Sequence, residues 1–150
     1  MRMEWKKENY LISTDKTLLD LPMIHEFLSQ QSYWAKGITK ERVEKAIKNT
    51  LCFGVYEMKD GKPVQAGFAR ILTDYVTTAY LCDVFIDRRH RGKGLSKWLV
   101  QTIISFDELK EVRGMLLATE DAHGLYSQYG FEVVDPGRYM KKKIKEEQQN

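Results

Sequence analysis

The sequence predicts an α/β (α+β) fold, a mixed and mostly antiparallel sheet with helices packed against it. Three observations carry this. Leu51–Met58, Pro63–Leu72 and Tyr75–Ile86 are apolar runs separated only by short turns, the spacing of an antiparallel meander. Further on, Leu95, Trp98, Leu99, Thr102, Ile103 and Phe106 recur at intervals of three and four, the period of an amphipathic helix. A short strand at Met115–Ala118 and a helix at Glu120–Tyr129 follow, so strands alternate with helices over only part of the chain.

Met3–Ser13, with Trp5, Tyr10, Leu11 and Ile12, reads as an opening strand. Asp15 to Pro22 carries acidic residues and a proline suited to a first helical turn. Leu21, Ile24, Phe27 and Leu28 then form an apolar stripe to about Gln30. Thr39 can cap a second helix, whose buried face is Val43, Ala46 and Ile47. The connection Gln31–Gly37 holds Tyr33 and Trp34. Adjacent aromatics cannot both follow a helical stripe, so one of them covers something beyond the local core. Either they wall an acceptor substrate or they pack between the helices. Asp60-Gly61 is a hairpin turn. The last helix places Ala122, Leu125, Tyr126 and Tyr129 on one side. Two short strands, Phe131–Val134 and Arg138–Lys142, flank Pro136-Gly137.

With 150 residues, 43% hydrophobic and 30% charged, the chain is expected to form one compact domain over 1–150, with a disordered tail from about Lys145. Its 24 Lys and Arg stand against 21 Asp and Glu, a net charge of +3 that does not by itself point to nucleic acid or membrane. Cys52 and Cys82 lie in apolar runs and read as reduced core residues. Three scattered histidines argue against a metal site. The start has no apolar signal region and no stretch is long enough to span a bilayer, so a cytoplasmic protein is expected.

The chemically loaded stretch is Asp87–Leu99. A buried strand ends there, Gly92 and Gly94 form a short loop, and a helix begins. Glycine permits φ > 0 and a close backbone approach. The helix start offers unpaired N–H groups and the positive end of the macrodipole. Arg88, Arg89, Arg91 and Lys93 add positive charge, so the stretch suits a phosphate or pyrophosphate. It matches neither Gly-x-x-x-x-Gly-Lys-Ser/Thr nor Gly-x-Gly-x-x-Gly, since Lys97 stands at the third glycine of the latter.

Two blocks then make the chain resemble a GNAT superfamily N-acetyltransferase over nearly its whole length. The acyl-CoA signature Arg/Gln-x-x-Gly-x-Gly/Ala falls on Arg91, Gly94 and Ser96, with Ser96 departing from Gly/Ala. Arg89, Gly92 and Gly94 also fit the bare pattern, but they fit the helix less well. Ala122-x-x-Leu125-Tyr126-x-x-x-Gly130-Phe131 is similar to the family's Ala-x-x-Phe-Tyr-x-x-x-Gly-Phe. The resemblance implies a sheet of about six to seven strands, splayed between strands four and five and flanked by about four helices.

It also implies roles. The diphosphate of acetyl-CoA would lie on the backbone N–H groups of Arg91, Gly92, Lys93, Gly94, Leu95 and Ser96. Pantetheine would pair like an added strand with Val84, Phe85 and Ile86, where one amide would polarise the thioester carbonyl. Tyr126 stands where the family's acid protonates the departing thiolate. Thr119 replaces an asparagine that often contacts pantetheine. Direct transfer to an amine needs orientation, loss of the ammonium proton and an acid. Asp83, an acid inside an apolar strand, can serve as base, bind a cationic acceptor, or be satisfied by a neighbouring cation. Tyr33 and Trp34 can wall the acceptor, and His123 can line the cleft or be a surface histidine.

The expected partner is an amine acceptor, with a homodimer possible, and neither nucleic acid, membrane nor metal is implied. Two other functions are compatible with the sequence. One is an acyl-CoA-binding regulator without turnover. The other is a nucleic-acid module using Arg88–Lys93, disfavoured because those cations sit on one turn without interleaved aromatics.

Overall fold

The computed structural model describes residues 2–144. Six strands form one sheet in chain order: β1 (Glu4–Lys7), β2 (Tyr10–Ser13), β3 (Leu51–Lys59), β4 (Lys62–Thr73), β5 (Ala79–Ile86) and β6 (Met115–Leu116). Neighbours are antiparallel except β5 and β6, which are parallel. The described residues also form α1 (Leu21–Glu26), α2 (Lys40–Lys48), α3 (Leu95–Ile104) and α4 (His123–Ser127). This is the mixed sheet with four helices that the sequence predicts. No helix among the described residues is long and apolar enough to cross a membrane.

Local chemistry explains the boundaries. The Asp20 side chain accepts the Met23 amide at the start of α1, and Pro22 sits in its first turn. After α1 the chain continues as a π-type turn over Phe27–Gln31, so the apolar stripe runs on through two helix types. Thr39 caps α2 as expected, accepting from the Arg42 amide. Asp60 and Gly61 take φ of 51° and 75°, the left-handed pair that a two-residue hairpin turn requires.

Five expectations are corrected. The opening strand is a hairpin, because Glu8 takes φ 54° and folds β2 back on β1. Tyr75–Thr78 is a loop, not strand: the Asp74 carboxylate accepts from the Val76 and Thr77 amides at 2.9 and 2.7 Å and stops the extended backbone. Thr77's hydroxyl and these amides hold that carboxyl well below the usual range. The helix expected over Glu120–Tyr129 is only α4, with Gly124 inside it weakening the helix. Phe131–Val134 and Arg138–Lys142 form no strands. Val133 and Val134 are adjacent rather than alternating, so no single face of that stretch stays buried. The strand expected over Met115–Ala118 shortens to β6. The expected tail from about Lys145 lies outside the described residues.

Alternation along the strands sends side chains to two cores. Phe53, Val55, Ala69 and Ile71 meet α3 through Leu95, Leu99 and Ile103. Cys52 and Phe68 face the other way and meet Ile24, Leu28 and Val43 of the first two helical segments and α2. Each fully buried large apolar side chain contributes about 1.5–3 kcal/mol. Phe27 stacks on Phe85 with centroids 3.8 Å apart, which ties the α1 segment to β5.

One break in alternation matters for function. Leu81 and Ile86 face the α3 core while Phe85 faces the other. That parity fails for a regular strand and requires one extra residue. Phe68 pairs with Phe85 but Arg70 pairs with Cys82, so Ala69 opposes both Asp83 and Val84. Asp83 takes φ 53° at this bulge.

Tyr56 offers a check on the core. Its ring is fully buried, and its hydroxyl has no hydrogen-bond partner among the described residues. Burial pushes the phenol pKa up strongly, so the group stays neutral. Tyr56→Phe is expected to hold or raise stability by about 1 kcal/mol, because it removes an unsatisfied polar atom without changing shape. Urea unfolding reads this; a loss above about 2 kcal/mol would mean the hydroxyl has a partner after all.

Candidate active site

β6 pairs with β5 only at Ala79–Met115 and Tyr80–Leu116, and beyond Tyr80 the two strands part. Counting the opening hairpin as the single strand expected, this is the splay between strands four and five. A cavity of about 940 Å³ occupies the opening. It brings together Tyr33 and Trp34 from the α1–α2 connection, Asp83 and Val84 from the β5 bulge, and Thr119 and Tyr126 from the far wall. Cys82 also lines it, half-buried, rather than sitting in the core.

Asp83 is engaged on both oxygens. Arg70 Nε donates to Oδ2 at 2.6 Å, and Trp34 Nε1 donates to Oδ1 at 2.8 Å. The Arg70 and Asp83 side chains are only 18% and 11% exposed, so this is a partly buried, charge-matched pair. Burial lowers the Arg70 guanidinium pKa, but the charge and hydrogen bond of Asp83 outweigh it and leave the group raised. The sequence reading of Asp83 as a free base or ammonium-binding carboxylate therefore meets a competing cation already in contact. Tyr33 ties the same connection to the opposite wall: its hydroxyl accepts the Glu120 amide at 2.9 Å. Tyr33 and Trp34 pack edge to face, 5.0 Å apart. The two aromatics thus strap across the cleft, held at one end by β5 and at the other by the loop before α4.

Tyr126 is 8% exposed on α4, with Phe131 edge-on to its ring at 5.7 Å. Burial pushes its phenol up to about 12, with Tyr33 and Asp121 adding to the effect. It is a protonated hydroxyl at neutral pH, on a residue that lines the cleft. Thr119 also lines the cleft, but its hydroxyl accepts the Ala122 amide at 3.0 Å and so helps start α4. His123 is corrected: it is exposed at the first position of α4 and does not line the cleft. The single-turn helix turns that position outward.

The glycine loop sits beyond the cleft, at the end of β5. Gly92 and Gly94 have φ of 81° and 75°, and Gly94 is the N-cap of α3 with no side chain capping it. The first-turn amides of α3 therefore face outward without intrahelical partners. Arg91 differs from expectation, since its own amide donates to Arg88 O at 3.3 Å and closes the preceding turn. Its Nε reaches Ile86 O at 3.4 Å. Phe85 and Ile86 have buried side chains, so only their backbone can serve a ligand.

Three features were not anticipated from sequence. Arg70 is a cation inside the apolar run of β4, a signal of the same kind that singled out Asp83. His90, buried, hydrogen-bonds Tyr10 Oη through Nδ1 at 3.0 Å and so anchors the turn before the glycine loop to β2. Burial lowers its pKa, which keeps the ring neutral. Lys36, Arg42, Glu120 and Asp121 line the cleft and carry no sequence signal of it. Among the described residues no group of three or more His, Cys, Asp or Glu is placed to hold a metal ion.

Residues 21–131 match the model of the acetyltransferase (GNAT) family. A curated Gibberella zeae protein assigned as an acetyltransferase is 33% identical over 138 residues, covering 79% of this chain and 77% of that one. A crystal structure from Xanthomonas campestris, assigned to the same family, is 43% identical with a TM-score of 0.84, covering 93% of this chain and 96% of that one. A GNAT family acetyltransferase from Elizabethkingia anophelis, solved with acetyl-CoA bound, shares the fold at 15% identity and a TM-score of 0.62, over 86% of this chain and 80% of that one.

Proposed function

Since the chain belongs to the GNAT acetyltransferase family, we propose that it transfers an acetyl group from acetyl-CoA directly to a primary amine. The observation that carries this reading is the cleft itself. A neutral, buried tyrosine hydroxyl and a bulged strand with an open edge share one cavity, next to a helix start whose amides are unpartnered.

The chain fits the acyl donor on its own terms. β5 past Tyr80 is unpaired on its β6 side, so Val84, Phe85 and Ile86 offer backbone groups to an extended pantetheine arm. The amides of Gly92 to Ser96, flanked by Arg88, Arg89 and Lys93, suit the diphosphate. Bound acetyl-CoA supplies the acetyl group as a thioester, whose C–S bond breaks as the C–N bond to the amine forms. The amine attacks in its neutral form, its ammonium proton released to water. Tyr126 then gives its hydroxyl proton to the leaving sulfur and recovers one, through water, from the newly acylated nitrogen. An amide of the Val84–Ile86 stretch polarises the carbonyl. Asp83 is a positioning residue: held by Arg70, it fixes Trp34 and the bulge that turns β5 toward the cleft. Thr119 supports this wall through the Ala122 amide.

The test is acetyl-CoA consumption over a broad amine panel, with free thiol release read directly. Acetyl-CoA binding with no transfer to any amine would favour the regulator without turnover. The anion turn has its own check. Gly94→Val forces a β-branched side chain to φ 75° and is expected to weaken CoA binding about tenfold, from a strain of roughly 1–3 kcal/mol. Gly94→Asn, which tolerates that conformation, should lose far less. Equal losses in calorimetric titration would remove the turn from the donor site.

A further inference from the structure

Resting on the transferase reading, we propose that the acceptor is a primary amine that also bears an anionic group, a carboxylate or a phosphate, on a partly apolar body. The engagement of Asp83 is the starting point. By sequence it is the group suited to a cationic acceptor, yet Arg70 matches its charge at 2.6 Å and Trp34 occupies its other oxygen at 2.8 Å. With that pair satisfied, the remaining charged residues of the cleft are Lys36, Arg42, Glu120, Asp121 and Lys141, of which Lys141 is already engaged in an interaction of its own.

The α1–α2 wall presents Lys36 and Arg42, with Ile38 and Ile47 beside them as apolar surface. Neither cation makes an ion pair or a side-chain hydrogen bond among the described residues. The opposite wall presents Glu120 and Asp121, whose carboxylates likewise have no ion-pair partner there. No residue of 88–96 lines this cavity, so these cations are separate from the anion turn. An acceptor with its amine toward Tyr126 and the acids, and its anionic end toward Lys36 and Arg42, meets opposite charge at both ends. A diamine would set its second ammonium against two unpaired cations. The charge layout therefore selects between amines that the chemistry of transfer alone would treat alike.

The test measures kcat/KM with the full chain for four acceptors of matched length: an ω-amino carboxylate, its carboxamide, an aminoalkyl phosphate and a diamine. The carboxylate or the phosphate is expected to exceed the carboxamide about fivefold to tenfold, the range of one or two partly exposed ion pairs. Whichever of the two leads identifies the anionic group. The preference should shrink with added salt. Arg42→Glu, on an exposed helix position, should abolish or reverse the ratio, and Lys36→Glu should reduce it. Arg42→Lys should preserve it. Equal use of the carboxamide or the diamine by the wild type, or a ratio unmoved by both reversals, overturns the inference and leaves the transferase standing. Failure of these and every other amine tested, with acetyl-CoA still bound, overturns the transferase reading from which the inference starts.

Discussion

Tyr126→Phe is expected to lower kcat about a hundredfold, the contribution of one positioned general acid, with CoA affinity changed by less than about twofold. The substitution removes one oxygen and keeps the ring, so its edge-on contact with Phe131 persists. A leaving thiolate without a nearby proton is the poorer leaving group, and the loss falls on the chemical step. The pH dependence has a definite sign. A phenol at about 12 stays protonated over the working range, so the wild type should show no alkaline loss of rate from this acid below about pH 10. The same shift affects stability only at high pH. The unfolded phenol ionises near 10 while the native one resists to about 12, so its stabilising effect is complete below pH 10 and lost above it. The kcat profile from pH 6 to 10 for both proteins reads this. A phenylalanine variant within threefold of the wild type would remove Tyr126 from the reaction.

What the sequence made legible depends on how local the physics is. The meander β3–β4–β5 follows from apolar runs and an Asp-Gly turn, and α2 follows from Thr39 and the Val43, Ala46, Ile47 spacing. The opening hairpin was hidden because its turn contains neither glycine nor proline; Glu8 takes the left-handed conformation instead. The bulge at Asp83 was hidden because it shows only as a parity break between Leu81 and Ile86, which cannot be seen until the partner strand is known. Tyr126 was found through a block of neighbours, whereas the Tyr33–Glu120 bond joins residues 87 apart through a backbone amide that no side-chain pattern encodes. Lys36 and Arg42 read as ordinary solvated cations until the fold sets them on a cleft wall. The site is thus legible where one segment makes it and illegible where two distant segments meet.

Removing the cation at Arg70 should cost more stability than any other single change at the cleft. Arg70→Met leaves the Asp83 carboxylate, 11% exposed, with Trp34 as its remaining partner beside a backbone already at φ 53°. Breaking one side of a fully buried pair costs about 3–5 kcal/mol. Partial exposure brings the expectation here to roughly 2–4 kcal/mol. Asp83→Asn alone keeps the Trp34 bond and should cost less, about 1–3 kcal/mol, because the residual cation at Arg70 can reach water along its flexible stem. The double variant is the decisive member. With the carboxylate gone there is no orphaned charge, so Arg70→Met/Asp83→Asn should be no less stable than Arg70→Met, a coupling of about 1–3 kcal/mol. Urea unfolding of the four proteins measures it. A double variant whose loss equals the sum of the singles would show the pair uncoupled. Asp83 would then be an independent carboxylate, free to hold an ammonium, and the charge argument for the acceptor would reverse with it.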